Sequence, residues 1–277
     1  SYADGHDFSN DLRMNLSLDA GKALLTASVG WDMIDSYHKG NHHSDYKADS
    51  FGNAWNSVGG ELGIKSKGHG RSFADFTLAY RYGAFDDKFL MSHSDGEEHN
   101  VKASARVGSR LSSPGLVAYI DVNLENEVFI DNCYGSLVSS EILLDPTHKT
   151  NLFLLSATPT ISGHSDRLNY SAGLKLSMIT RSIEPDAVTP LGKGHIIYPQ
   201  LHVDYAVAED LLKLYFNFGG GDRIDTYASL ISKNHFITPI FTSYYPNTGM
   251  EHVVDVYNAN VGISGRIHAR FPYEIDG

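Results

Sequence analysis

Apolar and polar residues alternate along most of this chain in unusually long runs. The clearest run covers residues 168–178, where leucine, tyrosine, alanine and methionine at even positions alternate with asparagine, serine, glycine and lysine at odd positions. Successive side chains of a β-strand point to opposite faces, so this pattern predicts a strand with one apolar and one polar face. Similar runs predict strands of about ten to fourteen residues, longer than the usual five or six of globular proteins.

The connections between the predicted strands alternate between short and long. The short turns are predicted at residues 19–22, 67–70, 112–115, 162–166 and 208–210. The long polar connections are predicted at residues 35–54, 86–99, 130–148, 180–194 and 222–250, with one or two helical turns at 226–233. Outer-membrane barrels have short periplasmic turns, long outer loops and strands of at least about 9–11 residues, which matches this pattern.

The predicted fold class is therefore all-β: an antiparallel up-and-down transmembrane β-barrel, in the form of a partial barrel of about 11–12 strands. Residues 1–277 are taken as a single β-barrel domain. It is expected to be a segment of a longer barrel, because little chain remains after the strand that begins near Val253. Pro159 and Pro199 interrupt predicted strands and should each lie at a bulge or a strand end.

Aromatic residues near the predicted strand ends are expected to form girdles at the membrane interfaces. These residues are Trp31, Trp55, Phe85, Phe129, Tyr198 and Tyr205.

Composition narrows the range of partners. The chain has 22 basic and 33 acidic residues and a net charge of -11, so nucleic acid is not expected as a partner. The single cysteine, Cys133, excludes an internal disulfide and a multi-cysteine metal site. No apolar run approaches the roughly 18 residues of a membrane helix, but barrel strands give no such signal.

The last part of the chain carries recognisable strand motifs. They are PQLHVDYA at residues 199–206, LYFNFGGG at 214–221, PNT at 246–248 and VDVYNANVGISG at 254–265. From Ile197 onward the chain resembles the C-terminal half of Bacteroidetes outer-membrane β-barrel proteins that are described as TonB-dependent-receptor-like. The resemblance implies a barrel in the bacterial outer membrane, with transport or a role in a surface complex. Neither the plug domain nor the energy-coupling box of such receptors is visible in these residues.

Polar residues on the predicted strands mark the side that would face a barrel lumen. The lumen-facing candidates are Asp121, Asn123, Glu125, Lys175, Asp204, Lys213 and Asn217. Such residues either pair with one another and fill the barrel or line a passage through it.

No catalytic residue, metal site or cofactor is predicted. His38, His42 and His43 lie near Asp45, but histidines in a polar loop are more often solvated than metal-bound. The adjacent His93, Ser94 and Asp95 do not by themselves make a triad, which is assembled in space. The His-x-Ser-Asn-Gly pattern of outer-membrane phospholipases is absent. The three glycines at 219–221 lack a following Lys-Ser/Thr pair, which favours a flexible strand end over a phosphate loop.

The sequence thus predicts a non-enzymatic outer-membrane barrel, acting as a porin-like pore or transporter or as a scaffold in a surface complex. Two alternatives stay open: an outer-membrane lipid hydrolase of phospholipase type, and a soluble β-sandwich that binds glycans. The expected partners are outer-membrane lipid and, as candidates, other outer-membrane or periplasmic proteins.

Overall fold

The structure is a computed structural model that describes residues 5–39, 50–67, 70–89, 92–113, 115–134, 148–184, 194–208, 211–233, 253–268 and 271–276. In these residues, twelve strands form one antiparallel sheet in which each strand pairs with the next along the chain. The strands are β1 (Gly5–Asp19), β2 (Ala23–Lys39), β3 (Ser50–Ser66), β4 (Ser72–Phe89), β5 (Ser92–Arg110), β6 (Leu116–Tyr134), β7 (His148–His164), β8 (Leu168–Glu184), β9 (Gly194–Ala208), β10 (Leu212–Arg223), β11 (Val253–His268) and β12 (Phe271–Asp276). The prediction of an up-and-down sheet of 11–12 strands is confirmed.

One face of the sheet, which we call the outer face, carries the exposed rows of apolar side chains. The register places one continuous row of apolar residues across β1 to β9: Leu18, Leu25, Ile64, Phe76, Ala105, Val122, Ala157, Leu176 and Ile197. Many outer-face residues are well exposed, among them Leu62 at 61% and Ile197 at 58%. A water-soluble protein rarely exposes so large an apolar patch, so the outer face is suited to lipid.

Ten of the twelve described strands are longer than the predicted ten to fourteen residues, with 15–19 residues each. β10 has 12 residues and β12 has six. The exposed apolar residues lie toward the short-turn ends, for example Phe76 to Tyr80 on β4. Farther along the same face, Asp86 lies opposite Asp95. Since about 9–11 residues cross the hydrocarbon, the polar remainder of each long strand projects beyond the apolar belt.

The predicted long connection at residues 86–99 is wrong. β4 continues to Phe89 and β5 begins at Ser92, so these residues extend a hairpin. The many charged residues suggested a loop because they are unsuited to a lipid-facing strand. Beyond the apolar belt this restriction no longer applies, and the two strands stay paired.

The two strand prolines lie beside irregular parts of the sheet. The ladder between β7 and β8 runs from Ala157 paired with Leu176 to Thr160 paired with Gly173, and it skips Pro159. The ladder between β9 and β10 extends only to Leu201 and stops short of Pro199, which pairs with Leu174 of β8 on its other side. On one side of each proline the strand pairing is therefore irregular or absent. The missing proline N–H interrupts no regular ladder on that side.

The other face of the sheet, the inner face, is covered in part by the chain after β10. Residues 227–233 form the helix α1 (Tyr227–Lys233), within the range where one or two helical turns were predicted. Within the described residues, no helix is long and apolar enough to cross a membrane.

The sheet is open in the part of the chain that the structure describes. There, β1 pairs with β2 and β12 pairs with β11, and the strand order does not return from β12 to β1. The soluble β-sandwich considered from the sequence is wrong, because a sandwich packs two sheets over a shared core, whereas these strands form one sheet with an exposed apolar face.

The two faces of β8 can be tested directly. Spin labels that replace Leu174 on the outer face and Lys175 on the inner face should differ after reconstitution into lipid. The label at position 174 should collide mainly with oxygen dissolved in the lipid. The label at position 175 should collide mainly with a water-soluble nickel chelate. Equal accessibilities at the two neighbouring positions would contradict the assignment of the faces.

Candidate functional site

A polar groove of about 630 Å³ runs along the inner face from β6 to β11. Its walls are rich in amides and hydroxyls, with two aromatic rings and a few charged groups. The lining residues include Tyr119, Asp121, Asn123, Thr158, Thr160, Ser171, Lys175, Gln200, His202, Asn217, Phe218, Asp222, Asn258 and Asn260. We call this region the inner groove.

Several charged residues around the inner groove are paired with neighbours from the wall. Arg106 donates two hydrogen bonds to Asp121, at 2.6 and 3.0 Å, and its guanidinium lies 4.8 Å from the ring centre of Tyr119. His202 hydrogen-bonds Asn217, and its Nε2 lies 3.1 Å from a carboxylate oxygen of Asp204. These contacts hold the polar side chains against the strands.

Three consecutive glycines at positions 219–221 leave room for side chains of β8 and β9 to lie close to the backbone of β10. The register of β10 with β11 shifts between Gly219 and Gly221, which marks a β-bulge. Gln200 donates a 2.5 Å hydrogen bond from Nε2 to the Gly220 carbonyl, and a Cβ at position 219 would overlap the Gln200 side chain. A Cβ at position 221 would come within 2.5 Å of Lys175 Nζ. The three glycines are thus part of β10 and shape the inner groove, which corrects the interpretation as a strand end.

A second feature of the inner face is the chain at residues 224–233, which we call the inner strap. Ile224, Tyr227 and Ile231 are at most 3% exposed. Tyr227 and Ile231 pack with Ile34 on β2, Trp55 on β3, Phe85 on β4 and Phe129 on β6. Ile224 packs with Leu152, Leu154 and Ile179 on β7 and β8. The inner strap therefore packs against inner-face residues of strands between β2 and β8.

The Tyr227 ring sits in an aromatic cage. Its centroid lies 5.4 Å from that of Trp55, 5.0 Å from Phe85 and 5.7 Å from Phe129. The hydroxyl lies within hydrogen-bonding reach of the Asn53 amide. Burial, followed by the nearby Asp87 carboxylate, raises the pKa of Tyr227 well above its ordinary value. The side chain is therefore a neutral hydroxyl that both donates and accepts.

Charged residues fix the start of the helix beside this cage. One nitrogen of Arg81, Nη2, donates to Glu98 Oε1 at 2.8 Å and to Thr226 Oγ1 at 2.9 Å. The other oxygen of Glu98 accepts a 3.0 Å hydrogen bond from the Ala228 backbone N–H. Glu98 is fully buried, so each of these contacts compensates part of the cost of desolvating its carboxylate.

Two of the girdle residues predicted from the sequence face outward, and the other four do not. Trp31 and Tyr205 are exposed on the outer face. Trp55, Phe85, Phe129 and Tyr198 are buried on the inner face, the first three against the inner strap and Tyr198 with its hydroxyl donating to Asp222 at 2.8 Å. Their girdle assignment is wrong, because these residues occupy strand positions whose side chains point to the inner face.

The structure places the seven lumen-facing candidates on the inner face, but not all at one place. Asp121, Asn123, Lys175 and Asn217 line the inner groove. Glu125 lies in a neighbouring depression, where it accepts hydrogen bonds from Asn100 and from Lys102. Asp204 pairs with His202, and Lys213 lies near the short-turn end of β10 opposite Ala206.

Other inner-face residues were not singled out from the sequence. Arg81, Glu98 and Asn100 follow the same alternation as the candidates, and so do Asn258 and Asn260. Extending the strand phase through residues 86–99 would have identified Glu98. Thr226 and Tyr227 carry no comparable signal, because they reach the wall from a connection.

The candidate chemistry from the sequence is only partly within the described residues. His42, His43 and Asp45 lie outside them, while His38 belongs to β2. His93, Ser94 and Asp95 lie consecutively in β5. Among the residues that the structure describes, no group of three or more His, Cys, Asp or Glu side chains could hold a metal ion.

The chain is similar to known proteins in its fold, but it matches no protein family. No protein-family model matches the chain, and no curated protein has significant sequence similarity to it. The structure is similar to FpvA of P. aeruginosa bound to heterologous pyoverdines, with a TM-score of 0.65 and 10% identity over 95% of this chain and 40% of that chain. It is also similar to the ferric yersiniabactin uptake receptor FyuA from Yersinia pestis, with a TM-score of 0.60 and 13% identity over 95% and 43%.

The copper transporter OprC gives a TM-score of 0.62 at 10% identity, over 96% of this chain and 43% of that chain. This chain therefore spans less than half the length of each of these three structures. At this level of identity, the similarity establishes the fold. The fold is that of bacterial outer-membrane receptor and transporter barrels, and with its exposed apolar outer face it belongs in the outer membrane.

The packing of the strap cage makes a prediction about two glycines. An added Cβ at Gly83 would overlap the Trp55 indole, whereas at Gly30 the nearest atom would be 3.8 Å away. Gly83→Ala should therefore destabilise the folded protein by about 1–3 kcal/mol through overpacking. Gly30→Ala is the matched control and should change stability little. Urea unfolding in lipid vesicles measures both, and equal midpoints for the two variants would contradict the packing.

Proposed function

We propose that this chain forms part of the wall of an outer-membrane transport barrel, along whose inner face a polar solute passes. One observation carries the proposal: the same strands present an exposed apolar outer face and an inner groove rich in amides and hydroxyls. A sheet in lipid needs the first feature, and a passage for a water-soluble solute needs the second. Asp121, Asn123, Lys175 and Asn217 are the proposed lining of the passage.

The similar structures support a transport role. They are a ferric yersiniabactin uptake receptor, a protein bound to pyoverdines and a copper transporter. We infer a TonB-dependent-receptor-like barrel without enzymatic activity. The resemblance of residues 199–265 to Bacteroidetes proteins supports an origin in that group. A scaffold in a surface complex is the second candidate, and it would need no continuous polar groove.

We also infer that the wall belongs to a larger barrel. An unpaired strand edge in lipid exposes N–H and C=O groups, each at a cost of several kcal/mol. In the described sheet, β1 and β12 each have one neighbour. The similar structures are more than twice as long as the part of them that this chain matches. Further strands that pair with β1 and β12 would remove both edges.

Transport is tested by solute entry into proteoliposomes. Asn123→Leu removes a polar group from the inner groove and should slow the entry of small polar solutes several-fold. Leu214→Ala alters the lipid-facing side of β10 and is the matched control, which should leave the rate unchanged. The measurement is osmotic swelling after addition of each solute. Entry no faster than in protein-free vesicles would refute transport and leave the scaffold role.

Orientation is tested by epitope insertion. A short epitope at residues 40–49, between β2 and β3, should be labelled by antibody on intact cells, because long outer loops accept insertions. The same epitope in the short turn at residues 165–167 should be labelled only after the outer membrane is permeabilised. The opposite pattern would reverse the orientation of the barrel.

A further inference from the structure

We propose that the inner strap is a constriction that sets the largest solute able to pass along the inner face. This inference rests on the proposed transport function and adds a specificity determinant to it. Residues 224–233 lie on the inner side of the wall and contact strands from β2 to β8. A solute that follows the inner face along these strands must pass beside this segment.

The inner strap is fixed to the wall by apolar contacts at both of its ends. Ile224 is buried against β7 and β8, and Ile231 is buried with Tyr227 against β2, β3, β4 and β6. Tyr227 is 1% exposed and contacts three aromatic rings. Burying a large aromatic side chain favours the position of the strap on the wall. A segment held in this way keeps its position and can act as a filter.

Polar contacts define how the inner strap is oriented on the wall. Arg81 joins Thr226 to Glu98, and Glu98 also accepts the Ala228 N–H. These bonds connect the first turn of α1 to neighbouring strands β4 and β5. They fix which side of the helix faces the wall, and therefore which side faces the interior.

The side of the inner strap that faces away from the wall is polar. Ser232 and Lys233 are exposed. Arg223 and Lys233 both approach Asp225 Oδ1, at 3.0 and 4.0 Å, and the Asp225 side chain is only 10% exposed. Two cations thus share one partly shielded carboxylate at the edge of the strap. Such a surface remains hydrated, as the wall of a passage for water-soluble solutes must be.

The alternative role for the inner strap is purely structural: it would cover apolar rings and stabilise the strands beyond the lipid. The two roles differ in one measurable respect. A filter determines the size dependence of solute entry, whereas a structural cover affects stability alone. The test therefore has to release the strap and measure size selection in the same protein.

Tyr227→Ala removes the ring that fills the aromatic cage and should release the inner strap. In proteoliposomes, we expect the entry of larger neutral solutes to rise several-fold relative to the smallest solute of a graded series. Leu176→Ala is the matched control: it also truncates a large side chain to alanine, but on the outer face, where Leu176 is 44% exposed. The control should keep the size limit of the unmodified protein.

A second variant keeps the test informative if Tyr227→Ala does not fold. Ala228→Pro removes the N–H that bonds Glu98 while keeping proline in the first turn of the helix, where it is tolerated. Release of the strap is measured separately with Ile231→Cys in a Cys133→Ser background. Position 231 is 1% exposed, so a thiol there should react with a water-soluble maleimide only after release.

Each outcome decides between the two roles. A reactive thiol at position 231 together with a raised size limit supports the constriction. A reactive thiol with an unchanged size limit overturns it while leaving transport intact. A thiol that stays unreactive when Tyr227→Ala and Ala228→Pro are combined also overturns it, since these residues would then not hold the strap. If neither the unmodified protein nor any variant admits solute, the transport proposal fails and the constriction fails with it.

Discussion

The structure depends on one constraint: every backbone N–H and C=O of a strand in lipid must be paired by a neighbouring strand. A continuous ladder between successive strands meets this need and fixes the register of each strand. Because side chains alternate, the register also decides which residues meet lipid. A slip by one residue would exchange Leu174 and Lys175 between the faces. The apolar outer face and the polar inner groove are therefore two results of the same pairing.

The ladder is irregular where the inner groove lies. Pro159 interrupts the pairing of β7 with β8, Pro199 lies beyond the β9–β10 ladder, and residues 219–221 form a bulge in β10. Such irregularities free backbone groups for other partners, and the Gly220 carbonyl accepts a hydrogen bond from Gln200. A regular ladder would occupy these groups. The inner groove thus lies where the sheet departs from regular pairing.

Period-two alternation was sufficient to predict the number of strands, their order and the faces of residues such as Leu176 and Lys175. The prediction failed at residues 86–99, where the charge of the residues was given more weight than their alternation. The charges of residues 86–99 favour a loop, yet charge excludes a strand only from the part of the sheet that contacts lipid. The helical turns of the inner strap are predictable, but its packing on the wall is not, because the contacts join residues far apart in sequence: Thr226 with Arg81, and Tyr227 with Asn53. No local pattern reports a pairing across 145 or 174 positions.

A signal for the inner strap was nevertheless present in the strands themselves. Trp55, Phe85 and Phe129 are large apolar residues on the polar phase of β3, β4 and β6, and all three lie under Tyr227. Exposing these apolar rings to water on the inner face would cost free energy. Their position therefore requires another segment of the chain to cover them. The same argument applies to Leu152, Leu154 and Ile179, which lie under Ile224. In a barrel wall, apolar residues that break the alternation mark the place where another segment packs inside.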